Sequence, residues 1–315
     1  MATEQPVVQA WTTADIPPQV GKLALVTGGC EGLGLQTALE LARAGADVLV
    51  ADVNDSAGRE AVAHIREHAE AGVVRYERLD LASLGSVEAL AGRMLEADRP
   101  IDLLINNAGV MALPRRLTTV DGFEMQLGVN YLGHFALTAR LLPLLRRSRQ
   151  PRVVHVTSVL NQRGWVEFDD LQLERGYKPW KAYARASLAT LMFALELQRR
   201  SDARDWGLQS DAAHPGYART DIFANGPGEW SLAGMAHRSV GRLLSQSPAE
   251  GALPILFAAT AAKAKMGGYY GPRGPFELMG APGEAEVTWR VGDPEVAMML
   301  WELSSDLTGV RWPLD

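Results

Sequence analysis

Residues 23–34 read Leu23-Ala24-Leu25-Val26-Thr27-Gly28-Gly29-Cys30-Glu31-Gly32-Leu33-Gly34, an apolar run that ends in a glycine-rich turn. Apolar residues then recur at helical spacing from Leu35 to Ala42, and Gly45 is placed to end that helix. The pattern predicts a strand, a glycine turn and a helix, the geometry that directs backbone N–H groups at a phosphate. A glycine turn can also be no more than a tight turn, so the surrounding pattern has to decide.

The composition limits the class of protein. A chain of 315 residues with 47% hydrophobic side chains can bury one large core, so we expect an irregular arm over 1–20 and one domain over 21–315. The net charge of -6 argues against nucleic acid or an anionic membrane as the main partner. The single cysteine excludes an intramolecular disulfide, and no Cys/His cluster indicates a metal site. Without a leader-like segment or a membrane span, a cytoplasmic protein is expected.

Strand and helix signals alternate along the chain. Further strands are predicted near residues 47–51, 73–79, 101–105, 153–156, 208–213 and 267–271, with helices between them. This order predicts an α/β fold, a doubly wound parallel sheet of the Rossmann-like type with about seven strands flanked by helices. Its ligand would lie outside the carboxyl ends of the strands. A loop at about 217–247 is expected on the substrate side. Trp165, Trp230 and Met235 could line a lipophilic pocket there, or equally pack a surface loop.

Four motifs follow one another in a fixed order. They are Thr27-Gly28-x-x-x-Gly32-x-Gly34, Asn106-Asn107-Ala108-Gly109, Ser158 after the fifth strand, and Tyr183 followed later by Pro215-Gly216. Together they resemble the short-chain dehydrogenase/reductase superfamily over about residues 20–310. The segment from Phe168 to Tyr183, with Asn130-x-x-Gly133-His134-Phe135, looks most like the retinol-dehydrogenase-like branch.

The resemblance implies a catalytic tetrad of Asn, Ser, Tyr and Lys. Asn130 would position a water, Ser158 would hold a carbonyl oxygen and Tyr183 would donate a proton. The family pattern Tyr-x-x-x-Lys reads Tyr183-Ala184-Arg185-Ala186-Ser187, so Ser187 stands where the lysine is expected.

A literal Tyr-x-x-x-Lys occurs at Tyr177–Lys181 and is interpreted as a decoy. The residue before Pro179 is pushed out of the α region, so Tyr177 and Lys181 should not share a helical face. Lys181 and Arg185 each lie two positions from Tyr183, which predicts that both point to the other side of the helix.

The serine changes the chemistry that the resemblance implies. The family's lysine bonds the nicotinamide ribose and lowers the tyrosine pKa by its charge, whereas a serine is neutral and too short to replace it. The oxidised nicotinamide ring is itself cationic and favours tyrosinate, while a neutral tyrosine already carries the proton that reduction needs. We therefore hypothesise that the change harms alcohol oxidation more than carbonyl reduction.

The cofactor side favours NAD(H) over NADP(H). Asp52 ends the second strand, where a carboxylate can bond ribose hydroxyls, and Val53 and Glu31 stand where NADP-preferring relatives often carry basic residues. The resemblance places Asp80 and Asn107 toward adenine. The complete set of predicted cofactor residues is Thr27, Gly28, Cys30, Glu31, Gly32, Leu33, Gly34, Asp52, Val53, Asp80, Leu81, Asn107, Ala108, Gly109, Pro215, Gly216 and Thr220.

Other reactive residue types have plainer interpretations. Cys30 is expected to be a small apolar filler near the cofactor. His134, His155 and His214 are expected to be structural residues rather than catalytic ones.

The sequence thus predicts an NAD(H)-dependent oxidoreductase that reduces a ketone or aldehyde of a bulky hydrophobic or aromatic small molecule, plausibly in a specialised pathway. A homodimer through the helices near Asn130–Leu145 and Ala182–Arg200 is a further expectation. Two alternatives stay open: an NAD-binding sensor or scaffold with an impaired site, and a non-redox reaction on the same fold.

Overall fold

The computed structural model describes residues 10–69, 72–217 and 246–313, and these form one eight-stranded sheet with helices on both faces. The strands are β1 (Leu23–Thr27), β2 (Asp47–Asp52), β3 (Val74–Arg78), β4 (Leu103–Asn106), β5 (Arg152–Val156), β6 (Gln209–Ala213), β7 (Tyr269–Pro272) and β8 (Pro282–Glu284). Their order is β3-β2-β1-β4-β5-β6-β7-β8, and every pairing is parallel except that of β7 with β8. The predicted doubly wound parallel sheet is confirmed.

The sheet has one strand more than the sequence predicts. β8 is three residues long, Pro282-Gly283-Glu284, and pairs antiparallel at the edge of the sheet. Proline and glycine disfavour strands, and three residues are too few to show alternation, so the pattern carried no signal for it.

Helices cover the two faces of the sheet in separate apolar cores. They are α1 (Gly32–Arg43), α2 (Asp55–His68), α3 (Leu84–Glu96), α4 (Met125–Leu127), α5 (Gly133–Leu145), α6 (Pro179–Ala203), α7 (Pro248–Thr260) and α8 (Pro294–Thr308). The helices α1, α2 and α7 contribute to one core, and α3, α5, α6 and α8 to the other. The arm before β1 joins the first core, because Trp11 is buried with its ring 5.4 Å from that of Phe257 in α7.

The helix α8 packs on the outside of α5 and α6. The rings of Trp301 in α8 and Trp312 beyond it lie 5.1 and 5.3 Å from Phe135 in α5, and Trp301 lies 5.8 Å from Phe193 in α6. As a result α5 is buried almost all round. The two helices proposed for a homodimer therefore have much of their outer face covered within the same chain.

No helix in the described parts of the chain is both long enough and apolar enough to cross a membrane.

The strand β6 holds a buried carboxyl group. Asp211 is fully buried, and its oxygens accept hydrogen bonds from Gln209 Nε2 (2.7 Å) and Gly268 N (3.0 Å). Burial raises the pKa of Asp211 to about 7, although these hydrogen bonds and the charge of Arg152 oppose the shift.

This pKa predicts a falling stability with rising pH. Between about pH 4 and pH 7 the folded protein keeps a proton that an unfolded aspartate, with a pKa near ~3.9, has lost, so the free energy of unfolding decreases by at most about 1.4 kcal/mol per pH unit. Asp211→Asn is expected to flatten this dependence and to raise the Tm at pH 8 relative to the parent. Thermal unfolding from pH 5 to pH 8 measures it. Parallel pH profiles of Tm for parent and variant would show that Asp211 is ionised throughout.

Candidate active site

A cleft of about 1130 Å³ opens where the carboxyl ends of the central strands meet. It is lined by the four predicted catalytic residues, Asn130, Ser158, Tyr183 and Ser187, and by most of the predicted cofactor residues. Thr27 and Cys30 are buried rather than lining the cleft, and Thr220 lies outside the described residues. The structure thus brings together in one space residues that are widely separated in sequence.

The glycine turn is built for close backbone approach. Gly28 has φ +62°, and a Cβ there would lie 2.8 Å from Ala108 Cα. A Cβ on Gly34 would lie 2.1 Å from the carbonyl oxygen of Gly28, so α1 can pack on the turn only with glycine at 34. The side chain of Asn107 braces the turn by donating to the carbonyls of Thr27 (2.9 Å) and Gly28 (3.2 Å). The amide nitrogen of Asn107 is therefore engaged with the turn, although the residue also lines the cleft.

The N-terminus of α1 is free to receive an anion. Side chains cap α2, α3, α7 and α8, whereas Glu31 before α1 makes no capping hydrogen bond. The first residues of α1, from Gly32 to Gly34, line the cleft. Uncapped N–H groups at the positive end of a twelve-residue helix fit the pyrophosphate of a dinucleotide.

Carboxylates line the end of the cleft beside the glycine turn and the carboxyl ends of β2 and β3. Asp52, Glu31 and Asp80 all line it, and the Asp52 carboxylate accepts a hydrogen bond from Asn54 N at 3.2 Å. Burial, and then the neighbouring Asp52, raise the pKa of the Cys30 thiol far above its usual range. Cys30 is therefore a neutral thiol, consistent with a small filler beneath the turn.

Three hydroxyl groups meet at the catalytic end. The side-chain hydroxyls of Ser158 and Ser187 are the polar neighbours that act on the Tyr183 phenol, and Ser187 Oγ donates its proton to the Tyr183 carbonyl oxygen (2.8 Å). Thr157 Oγ1 donates to the Ser187 carbonyl (2.7 Å) and ties the end of β5 to α6. Burial raises the pKa of Tyr183, while the two serine hydroxyls lower it in part. No cationic side chain of the described residues contributes to this shift.

The cationic side chains that neighbour Tyr183 in sequence pair with Glu167. Arg185 is only 1% exposed and donates through Nη2 to Glu167 (2.7 Å), and Lys181 Nζ lies 3.1 Å from the same carboxylate. Tyr177 precedes α6 and donates instead to the Leu113 carbonyl at 3.0 Å. As predicted, Tyr177 and Lys181 do not share a helical face, because α6 begins after Tyr177.

Asn130 lies in a π-helical turn, Gly128–Leu132, between α4 and α5. Its side chain accepts from Val110 N (2.8 Å) and donates to Val110 O (2.9 Å). Its carbonyl oxygen lies 3.1 Å from His134 Nδ1 and 3.3 Å from Thr190 Oγ1. The side chain therefore braces the segment at Val110 and keeps a second N–H for another partner, so the expected contact with a water stays a prediction. π turns of this kind are frequent at functional sites.

The three predicted structural histidines are all buried. Burial lowers the pKa of His134 to about 4 and that of His155 to about 3, so both rings are neutral at physiological pH. His214 Nε2 lies 3.2 Å from the Glu277 carboxylate, just before the predicted cofactor residues Pro215 and Gly216.

Sequence reasoning missed the apolar wall beside Tyr183. It is formed by Met111, Met125, Val129, Leu160, Trp180 and Leu278. These residues come from separate segments of the chain, among them α4 and α6, so no local pattern links them. Trp165, which could have lined the pocket, is 52% exposed and lies 6.2 Å from the Trp289 ring, whereas Trp230 and Met235 lie outside the described residues.

Known proteins resemble the chain over nearly all of its length. The family model for short chain dehydrogenases matches residues 22–227. Mouse polyprenol dehydrogenase is 41% identical over 299 residues, covering 93% of this chain and 86% of that protein. Human retinol dehydrogenase 13 is 39% identical over 296 residues, with coverages of 93% and 86%.

Solved structures share the same fold. The crystal structure of an uncharacterized protein from Mycobacterium Paratuberculosis is 37% identical with a TM-score of 0.80, covering 97% of this chain and 100% of the other. The Pseudomonas aeruginosa RhlG/NADP active-site complex is 24% identical with a TM-score of 0.62, covering 80% and 96%. At that identity the second comparison shows the fold alone.

Proposed function

The chain belongs to the short-chain dehydrogenase/reductase family, and from that premise we propose that it is an NAD(H)-dependent oxidoreductase that reduces the carbonyl group of a bulky hydrophobic aldehyde or ketone. The observation that carries the proposal is the Tyr183 phenol, flanked by the hydroxyls of Ser158 and Ser187, in the cleft that also holds the glycine turn. One space can therefore receive both a dinucleotide and the group that reacts with it.

Each catalytic side chain has a defined task in this proposal. A bound nicotinamide supplies the hydride. Ser158 donates a hydrogen bond to the carbonyl oxygen as negative charge develops on it. Tyr183 transfers its proton to that oxygen, which completes the alcohol. Because burial raises its pKa, Tyr183 holds this proton at physiological pH and is ready for the reductive direction.

The cofactor preference rests on charge at the adenosine end. Asp52 and Glu31 line that end, and the cations among the described lining residues, Arg163 and Lys181, belong to the segments beside Tyr183. The described lining residues at that end supply no cation to a 2′-phosphate, and Arg78 beside it donates to the Val53 carbonyl (3.0 Å) and pairs with Asp55. NADH is therefore expected to bind at least about tenfold more tightly than NADPH.

The substrate class rests on the apolar wall and on the relatives. Met111, Met125, Leu160 and Trp180 offer apolar surface next to Tyr183. The relatives are named for polyprenol and retinol, which are apolar alcohols. These two observations favour a long or bulky apolar aldehyde over a small polar one.

The deciding experiment is single-turnover oxidation of bound NADH with a panel of apolar aldehydes and bulky ketones. We expect one alcohol formed for each NADH consumed. Tight NADH binding without turnover would support a binding protein. This second candidate is favoured because no cationic side chain among the described residues acts on the Tyr183 phenol. Product formation without NADH consumption would indicate a non-redox reaction.

Ser187→Lys is expected to change the two directions unequally. An ammonium near Tyr183 lowers the phenol pKa, so alcohol oxidation at pH 7 should rise about tenfold or more, whereas carbonyl reduction should change less than about threefold. Turnover numbers at saturating substrate and cofactor in both directions measure this, because the equilibrium constant fixes the ratio of the two kcat/KM values. Ser187→Met controls for side-chain bulk without charge. Equal acceleration of both directions would contradict the hypothesis.

A further inference from the structure

The loop at 107–110 after β4 and the π-helical turn around Asn130 are connected through the buried imidazole ring of His134. We propose that His134 is a positioning residue that holds the Asn130 turn in place against the loop after β4. Loss of this ring should therefore slow hydride transfer more than it weakens cofactor binding. The inference rests on the function proposed above and identifies which side chain holds the two walls of that site in position.

The first part of the connection is the hydroxyl of Thr27 at the end of β1. Thr27 Oγ1 accepts hydrogen bonds from the backbone N–H groups of Asn107 (2.9 Å) and Ala108 (3.1 Å). Its remaining proton can go to His134 Nε2 at 2.8 Å or to the Ile105 carbonyl at 3.3 Å. The shorter contact is the one to the ring.

The second part fixes which ring nitrogen carries the proton. His134 Nδ1 lies 3.1 Å from the Asn130 carbonyl oxygen, which can only accept, so the proton is on Nδ1. Burial lowers the pKa of His134 to about 4, so Nε2 is unprotonated and accepts from Thr27. The hydrogen bonds then run in one direction, from Thr27 to His134 and from His134 to Asn130.

A parallel link runs beside this one. The Asn130 side chain pairs with both the N–H and the carbonyl of Val110. The loop at 107–110 and the turn around Asn130 both line the cleft. The hydrogen bonds through His134 and those through the Asn130 side chain therefore connect the predicted cofactor-binding loop to the turn that carries a predicted catalytic residue. His134 itself is 2% exposed and does not line the cleft, so it acts through its neighbours.

Two substitutions separate the two hydrogen bonds. His134→Asn keeps a donor near the Nδ1 position but loses the contact with Thr27. His134→Gln keeps an acceptor near the Nε2 position but loses the donor to the Asn130 carbonyl. His155→Gln is the matched control, because His155 is equally buried and neutral but contacts Asn106 and Phe193 instead of the Asn130 turn.

We expect both His134 variants to lower the single-turnover rate of NADH oxidation about 10- to 100-fold, with the Kd for NADH changed less than about threefold. The His155 variant should lose comparable thermal stability, with less than about a threefold change in rate. A rate loss matched by the same loss of NADH affinity, or an equal rate loss in His155→Gln, would overturn the inference.

A second measurement does not depend on turnover, so it separates failure of this inference from failure of the proposed function. In protein labelled with ¹⁵N-histidine, His134 should show a protonated Nδ1 and an unprotonated Nε2 from pH 5.5 to pH 8. Thr27→Val should shift the Nε2 signal, while Thr27→Ser should restore it. A proton on Nε2, or an unchanged signal in Thr27→Val, would refute the link even if the enzyme is active. A protein that shows no turnover but gives the expected ¹⁵N signals of His134 would refute the proposed function and leave this hydrogen-bond link intact.

Discussion

Replacing Tyr183 by phenylalanine is expected to lower the single-turnover rate of carbonyl reduction about 10³-fold, because the site loses its proton donor while its shape is kept. The effect should fall on the chemical step, since the phenol lies beside Ser158 and Ser187 at the far end of the cleft from the glycine turn. Stopped-flow NADH oxidation with the best substrate of the panel measures the rate, and fluorescence titration measures the affinity for NADH.

The matched control for Tyr183→Phe is Ser187→Ala, which removes a neighbouring hydroxyl and leaves the donor in place. We expect that control to lose less than about tenfold in rate, in line with a single neutral hydrogen bond. A Tyr183→Phe enzyme that retained more than a tenth of the parent rate would show that another group supplies the proton. The parent would then need a different mechanism from the one proposed.

Replacing Arg185 by methionine is expected to lower the free energy of unfolding by about 3 kcal/mol or more. The guanidinium is 1% exposed and bonds the carbonyls of Trp165 (3.1 Å), Leu171 (3.1 Å) and Asp170, together with the Glu167 carboxylate (2.7 Å). Methionine fills similar space but leaves those acceptors without their charged donor. Urea unfolding at pH 7 measures the change.

Lys181→Met is the control for this prediction. It removes the other partner of Glu167, but the lysine side chain is 41% exposed, so less than about 1 kcal/mol is expected. Equal losses in the two variants would mean that the charge pairing matters and the buried carbonyl contacts do not.

The sequence predicted those parts of the fold in which apolar residues recur at helical or strand spacing within a short segment. β1 and α1 could be predicted because an apolar run, a glycine turn and helical spacing lie within about twenty residues of one another. β6 was placed to within one residue although Ser210 and Asp211 interrupt its apolar pattern. Their burial is allowed by partners from distant segments, such as the Ala194 carbonyl that accepts from Ser210 (2.8 Å).

The catalytic residues were found by motif, whereas their surroundings were not. The direction of Arg185 followed from helical geometry, but its partners are backbone carbonyls of the 165–171 segment, which no side-chain pattern reveals. The π turn at Asn130 and the connection through His134 likewise depend on contacts between β1, β4 and α5. A single sequence does not encode such contacts in any local pattern.

The position of α8 has a consequence for synthesis on the ribosome. α5 and α6 are synthesised well before α8. The aromatic face formed by Phe135 and Phe193 therefore stays uncovered until Trp301 and Trp312 have left the ribosome. During that interval the nascent chain offers chaperones an apolar surface that the finished fold hides. A ribosome-bound chain with a linker that brings α8 and Trp312 out of the ribosome should therefore recruit less chaperone than the same chain truncated before Trp301.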